Sequence, residues 1–196
     1  MSVQVDMEQR IELAISSMVK MIEHQQAAIF HCLQTGLIGP ALILIYTTID
    51  IMASLDIHSD RDVKSSDFKA WVKEYLLPNS NLTASAEDLW GARCGLVHSY
   101  SLQSRKTQTQ KAVVVFYAFG DADETEAQDK LDKTGQPVRV IHISKLFKAL
   151  VDGIASFVSK ARQNSDKAIT VTWRAQRLML LKLTTDVDGL LDGMPN

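Results

Sequence analysis

From about Asp6 to Thr35, apolar residues return at Ile11, Ile15, Met18, Ile22 and Ile29 with Glu, Lys and Gln between them. That spacing predicts an amphipathic helix ended by Thr35-Gly36, and Phe30 to Leu33 read either as its last turn or as a separate one. Gly39-Pro40 opens the next element, because proline is tolerated in a first helical turn. Ala41 to Leu55 is then apolar on nearly every face. Its Ile and Thr content suits a strand, but its length and the flanking proline favour a helix. It is too short and too interrupted to cross a membrane convincingly, so it is expected to be the most buried helix of a bundle. Asp50 breaks the apolar run. Burying a carboxylate unpaired costs several kcal/mol, so Asp50 needs Arg93, a backbone N–H or solvent in a cleft as its partner.

Residues 56 to 66 are polar and predict a loop. Ser66 or Asp67 is expected to cap a short helix with Phe68, Trp71, Val72, Tyr75 and Leu76 inward, ended by Leu77-Pro78-Asn79-Ser80-Asn81. Ser85-x-x-Asp88 has the form of a capping box and opens a helix running to about Tyr100. Within it, Gly91 costs about 1 kcal/mol relative to alanine, as does Gly95. Two reasons compete for accepting that cost: tight packing inside one bundle, or close approach of a second copy of the helix. After residues 101 to 110 the pattern changes. Ala112 to Ala118 and Val138 to Ile143 predict two strands, and the acidic stretch Gly120 to Gly135 between them predicts a solvated loop. The pair is expected to form a hairpin that leans on the helices. Ser144 should cap a helix through about Arg162, and Ala168 to Leu183 reads as a last helix before a loose tail from Asp186 to Asn196. The fold class expected is mainly α, a helical bundle with a small C-terminal β-hairpin and additional helices. Residues 6–105 form the bundle, and 106–196 the hairpin plus helices packed on it, in one continuous domain.

Composition narrows the partners. The chain has 196 residues, 46% of them hydrophobic and 22% charged, which fits one globular domain. A formal charge of -2 provides no global basic field, so any RNA would have to meet a local cleft or an assembled oligomer. Cys32 and Cys94 make no disulfide framework and suit a reducing compartment. Met1 to Arg10 lacks a basic region followed by an apolar run, so a cytoplasmic protein without a membrane partner is expected. His24 and His31 lack an acidic or cysteine partner set, and Asp121, Asp123 and Asp129 lack the glycine and glutamate offsets of a calcium loop. No metal or other cofactor is expected.

The candidate chemistry lies in Arg93-Cys94-Gly95-Leu96-Val97-His98-Ser99-Tyr100. Arg93 and His98 fall about 140° apart on an ideal helix, so they are not expected to share one narrow face. A second helix, or a second copy of this one across a two-fold axis near Gly95, would bring an arginine and a histidine into one cleft. This stretch resembles the R-x4-H signature, here R-x4-H-x-Y, of the HEPN superfamily. The preceding Leu89-Trp90 and the Ala41 to Leu55 helix are similar to the surroundings of that motif in HEPN-like bacterial proteins. The resemblance covers residues 6 to 105 and leaves the strands and final helices unexplained.

The resemblance implies a dimerising helical bundle. It implies either a metal-independent ribonuclease, with Arg and His of both subunits in one cleft, or a member without activity that binds ligands or serves structure. In two-component toxins of this kind the tyrosine of H-x-Y is a target for a partner nucleotidyltransferase, which would be Tyr100 here. Cys94 departs from the polar residue that many active members carry directly after the arginine. The expected function is therefore a HEPN-like homodimer acting as a non-catalytic adaptor or anionic-ligand-binding module. The alternative is a metal-independent endoribonuclease of the toxin kind. In it, Arg93 neutralises the scissile phosphate and His98 exchanges the proton of the ribose 2′-OH, supported by Asp50, Cys94 and Tyr100.

Overall fold

The computed structural model describes residues 2–178 apart from 59, 79 and 103. The last residues of the expected final helix, and the tail expected to be loose, lie outside the described residues. Among the described residues, eight α-helices and two strands follow in the order α1 (Ser2–Gln34), α2 (Ile38–Leu55), α3 (Ser65–Trp71), α4 (Ala86–Ser99), α5 (Arg105–Gln108), β1 (Val114–Ala118), α6 (Glu124–Asp132), β2 (Val138–His142), α7 (Ile143–Gln163) and α8 (Ser165–Leu178). The chain is mainly helical with a small two-stranded sheet. Its core is continuous from Ile15 of α1 to Val171 of α8.

Packing converges on α2. Ile45, Tyr46, Ile49, Met52 and Leu55 are completely enclosed, and α1, α3, α4, α7 and α8 all pack on this helix. The stripe Ile15, Met18, Ile22 and Ile29 of α1 is buried in the same core, and α1 is one uninterrupted helix through Phe30 to Leu33. Among the described helices, α2 alone is long and apolar enough to cross a membrane, and 56% of that span is buried inside the fold. The C-terminal end of α2 is held by α8: the buried Arg174 donates from Nε to the Ser54 carbonyl at 2.9 Å and from Nη2 to the Arg61 carbonyl at 3.2 Å. A cation there suits the negative end of the helix dipole.

Two helix starts differ from expectation. α3 begins at Ser65, and Asp67 sits in its first turn, accepting from the Lys64 backbone N–H at 2.7 Å and two N–H groups of Arg61 at 2.6 and 2.8 Å. Neither Ser66 nor Asp67 is the cap residue. α7 begins at Ile143 with His142 as its cap: Nδ1 meets Ser144 Oγ at 2.6 Å, and Nε2 reaches the Gly120 carbonyl at 3.1 Å. Beyond α3 the helix widens to a π-turn over Val72–Leu76, and a Cβ on Gly153 of α7 would lie 3.0 Å from the Tyr75 carbonyl oxygen. That glycine lets the two backbones touch.

The strands are not a hairpin. β1 and β2 run parallel, with Val114 opposite Val138 and Ala118 opposite His142. The acidic stretch between them contains α6, capped by Asp123, whose carboxylate accepts from the Glu126 N–H at 2.9 Å. A parallel pair needs a crossover of a dozen or more residues, and α6 is that crossover. Gln128 of α6 closes the outer edge of β2: its carbonyl oxygen accepts from the Val140 N–H at 2.7 Å and its amide donates to the Val138 carbonyl at 3.3 Å.

Candidate functional site

The site stands on α4, whose placement follows from local chemistry. The capping box closes as its sequence predicts, with the Ser85 N–H donating to Asp88 Oδ2 at 2.9 Å and the Asp88 N–H to Ser85 Oγ at 3.2 Å. Asp88 is only 8% exposed, and its other oxygen accepts from the Val113 N–H at 2.8 Å. One carboxylate thus starts α4 and fixes the chain that enters β1. Opposite it, a Cβ on Gly91 would come within 2.9 Å of the Ala112 Cβ. Gly91, Ala92 and Gly95 are all buried within the single chain. Of the two readings left open for these small residues, their burial within one chain favours tight packing of the bundle.

On another face of α4, Arg93 reaches α2. Its Nε and Nη2 lie 2.8 and 2.7 Å from Asp50 Oδ2, so Arg93 is the partner that Asp50 needed. Its Nη1 lies 2.8 Å from His98 Nε2. An arginine offers no lone pair, so His98 accepts at Nε2 and carries its proton on Nδ1. Arg93 also lies over the Trp90 ring, with Cζ 5.2 Å from the centroid, and Trp90 is itself tilted against Phe68. The side chains of Arg93 and Asp50 are 17% and 21% exposed, while His98 is open to solvent. The result is a chain of contacts, Asp50 to Arg93 to His98, that runs from the edge of the core to the surface.

Burial pushes the Asp50 carboxyl above its ordinary value, and the hydrogen bond and charge of Arg93 oppose that shift. Burial likewise pushes the Cys94 thiol up, which makes it a poor nucleophile at neutral pH. Three of the five N–H groups of Arg93 face Asp50 or His98, and the guanidinium also hydrogen-bonds the Cys94 thiol beside it. The pair with Asp50 cancels most of the net charge, so an anion would be held here by directed donors more than by field strength.

Tyr100 ends α4 in the left-handed conformation, with φ of 48°, and is 65% exposed. Its ring lies across Gly39 at the start of α2, where a Cβ would fall 1.6 Å from the hydroxyl oxygen. His24 and His31 are both exposed. Of the residues singled out in sequence, Asp50, Arg93 and His98 are brought together in one chain, with Cys94 next to Arg93 on α4 and Tyr100 two residues past His98. The 140° arc between Arg93 and His98 did not foretell this, because it locates the Cβ atoms while the long arginine side chain spans the gap. The platform under the guanidinium was also missed, although Trp90, three residues before Arg93, stands at the spacing of helix neighbours.

Compared with models of protein families, with curated proteins and with solved structures, the chain matches none.

Proposed function

We propose that this protein is a HEPN-like helical module, working as a homodimer, that binds a phosphate-bearing ligand at Arg93 and His98 without turning it over. The observation that carries this reading is the Asp50–Arg93–His98 chain. Asp50 fixes the guanidinium over Trp90 with its Nη1 turned outward to the exposed imidazole, the two groups that would meet a phosphate oxygen. The same chain argues against ready proton transfer: the Nε2 lone pair that a general base would use is occupied by Arg93. RNA, with its repeating phosphodiesters, belongs to this ligand class.

A second reading, metal-independent endoribonuclease, is favoured by the exposure of His98 together with its 2.8 Å contact with Arg93. In this reading the scissile phosphate takes the Nη1 donor of Arg93 and frees Nε2 of His98. The imidazole then takes the proton of the 2′-OH as that oxygen attacks phosphorus, and the 5′-oxygen leaves with a proton from the imidazolium of His98 of the partner subunit. The product is a 2′,3′-cyclic phosphate.

One experiment separates the readings. A single-stranded oligoribonucleotide and its all-deoxy counterpart are incubated in EDTA with wild type, Arg93→Ala and His98→Ala. Binding of both oligomers, intact afterwards and lost in Arg93→Ala, is the expected result. Cleavage of the ribo oligomer alone, ending in cyclic phosphate and lost in His98→Ala, would replace it with the nuclease reading. Binding of neither oligomer would remove both.

A further inference from the structure

A second concave site, lined by none of Asp50, Arg93 and His98, lies at the start of the parallel sheet. It is a cleft of about 740 Å³, within the size range of small-molecule sites. α6 lies along β2 and leaves part of β1 open, so Val114 and Phe116 of β1, with Leu131 of α6, give the cleft an apolar lining; all three are only partly covered. Gln108 and Gln110 line it from the α5 side and Gln136 from the turn before β2. None of these three side-chain amides is engaged by another described residue, whereas the hydroxyls of Thr107 and Thr134, also in the lining, are already bonded to the Ser104 and Leu131 carbonyls at 2.9 and 2.6 Å. Gln110 sits at φ of 55°, in the left-handed turn that ends α5. Among the described residues of the lining there is no Asp, Glu, Lys, Arg or His, in a chain that is 22% charged.

We propose that this cleft binds a nucleobase-like ring, a flat uncharged heterocycle whose edge carries both donors and acceptors. An ionised ligand would find no counter-charge among the described lining residues, and burying its charge unpaired is costly. An aliphatic one would leave three free amides unused. A glutamine amide can pair bidentately with an adenine edge, and the partly exposed Phe116 is a stacking surface for any base. Packing couples the cleft to the motif helix: Ala112 and Val113 in its wall are the residues that touch Gly91 and Asp88. The proposal is independent of the phosphate reading, because no residue of the cleft belongs to the Asp50–Arg93–His98 chain.

The test measures binding of adenosine, guanosine, cytidine and uridine, and separately of a single-stranded oligoribonucleotide, to wild type, Phe116→Leu, Gln110→Glu and Arg93→Ala. Thermal unfolding checks that each variant folds. Saturable binding of a nucleoside, weakened about ten-fold by Phe116→Leu or Gln110→Glu and unchanged in Arg93→Ala, is expected for a site that takes the free base or nucleoside. Saturable binding of the oligomer alone, weakened by the same two substitutions, supports a base carried within a chain. Absence of both, or binding that folded Phe116→Leu and Gln110→Glu leave unchanged, overturns the proposal. Loss of oligomer binding in Arg93→Ala alone, with nucleoside binding intact, bears on the phosphate reading and leaves this one standing.

Discussion

At the scale of single residues, the balance at Asp50 decides how Arg93 behaves. Its carboxyl is raised because burial outweighs the attraction of Arg93, so ionising it is harder in the folded chain than in the unfolded one. The sign follows from that direction. Protonation of Asp50 favours the folded state, fully so below the unfolded carboxylate value, and that advantage is lost as pH rises through the folded value. Asp50 therefore gives no reason for unfolding in acid, but on mild acidification it is protonated before exposed aspartates and loosens its hold on Arg93. The expected outcome is that phosphate binding strengthens as pH falls through the Asp50 transition, and that Asp50→Asn, which frees the positive charge, binds more tightly at neutral pH and loses the pH dependence. Titrating an all-deoxy oligomer against wild type and Asp50→Asn checks both. An affinity lower in Asp50→Asn would mean that orientation by the carboxylate matters more than the charge it cancels. Asp50→Ala differs, because it leaves Nε and Nη2 of a largely buried guanidinium unpaired. A loss of about 1–3 kcal/mol in urea unfolding is expected for Asp50→Ala, and less for Asp50→Asn, which still offers an acceptor.

At the scale of elements, the start of α4 shows how one side chain sets two neighbours. Asp88→Ala removes the acceptor of both the Ser85 and Val113 N–H groups, so about 2–4 kcal/mol of stability should be lost in chemical denaturation. Gly91→Ala should gain about 1 kcal/mol of helix propensity, yet its methyl would meet the Ala112 Cβ at 2.9 Å. Overpacking of this kind costs about 1–3 kcal/mol, so a net loss is expected; a stabilised variant would show that residues 104 to 112 shift freely. The capping box was legible because Ser85 and Asp88 are close in sequence, α1 and α7 because their apolar residues return at helical spacing, and α2 from its length and flanking proline. α6 was not legible. Its nine residues bring only Ala127 and Leu131 as apolar side chains, too few for periodicity to register, and its stability comes from its cap and from packing on β2. With α6 unread, the strands on either side looked like a hairpin, although the length of their connection already allowed a parallel crossover. The role of Gln128 was hidden for the same reason, since an edge guard has no meaning until the edge is known. Gln128→Ala should leave the Val140 N–H without its acceptor, and amide hydrogen exchange at Val140 should quicken while the core of α2 stays protected.

At the scale of the whole molecule, the question is what covers the surface around the motif. The site was legible as residue types but not as geometry, because helical angle fixes backbone positions and says little about where a long side chain ends. Its expected dimer had been argued from Gly91 and Gly95, which turn out to be enclosed within one chain. A homodimer that brings the two motifs together must therefore use other groups. Large apolar side chains left open include Phe30 near the end of α1, Leu37 between α1 and α2, and Tyr100 and Leu102 beyond α4. Leu37 and Tyr100 meet the same turn, because the Tyr100 ring lies over Gly39. A two-fold contact through this region would remove apolar surface from water at about 25 cal/mol per Å² and would seat two exposed His98 side chains near one interface. It would also concentrate two arginines in a chain whose formal charge is -2, which is how a phosphate site can arise without a basic protein. Sedimentation equilibrium at micromolar protein should find a dimer for wild type and a monomer for Leu37→Asp or Tyr100→Asp, both at exposed positions, with thermal unfolding checking that each variant folds. Gly95→Leu, by contrast, should destabilise the fold itself, seen as a lower melting temperature, because that glycine is buried in the bundle. A monomeric wild type would sink the dimer, and a dimer indifferent to both aspartate substitutions would move its interface away from the motif.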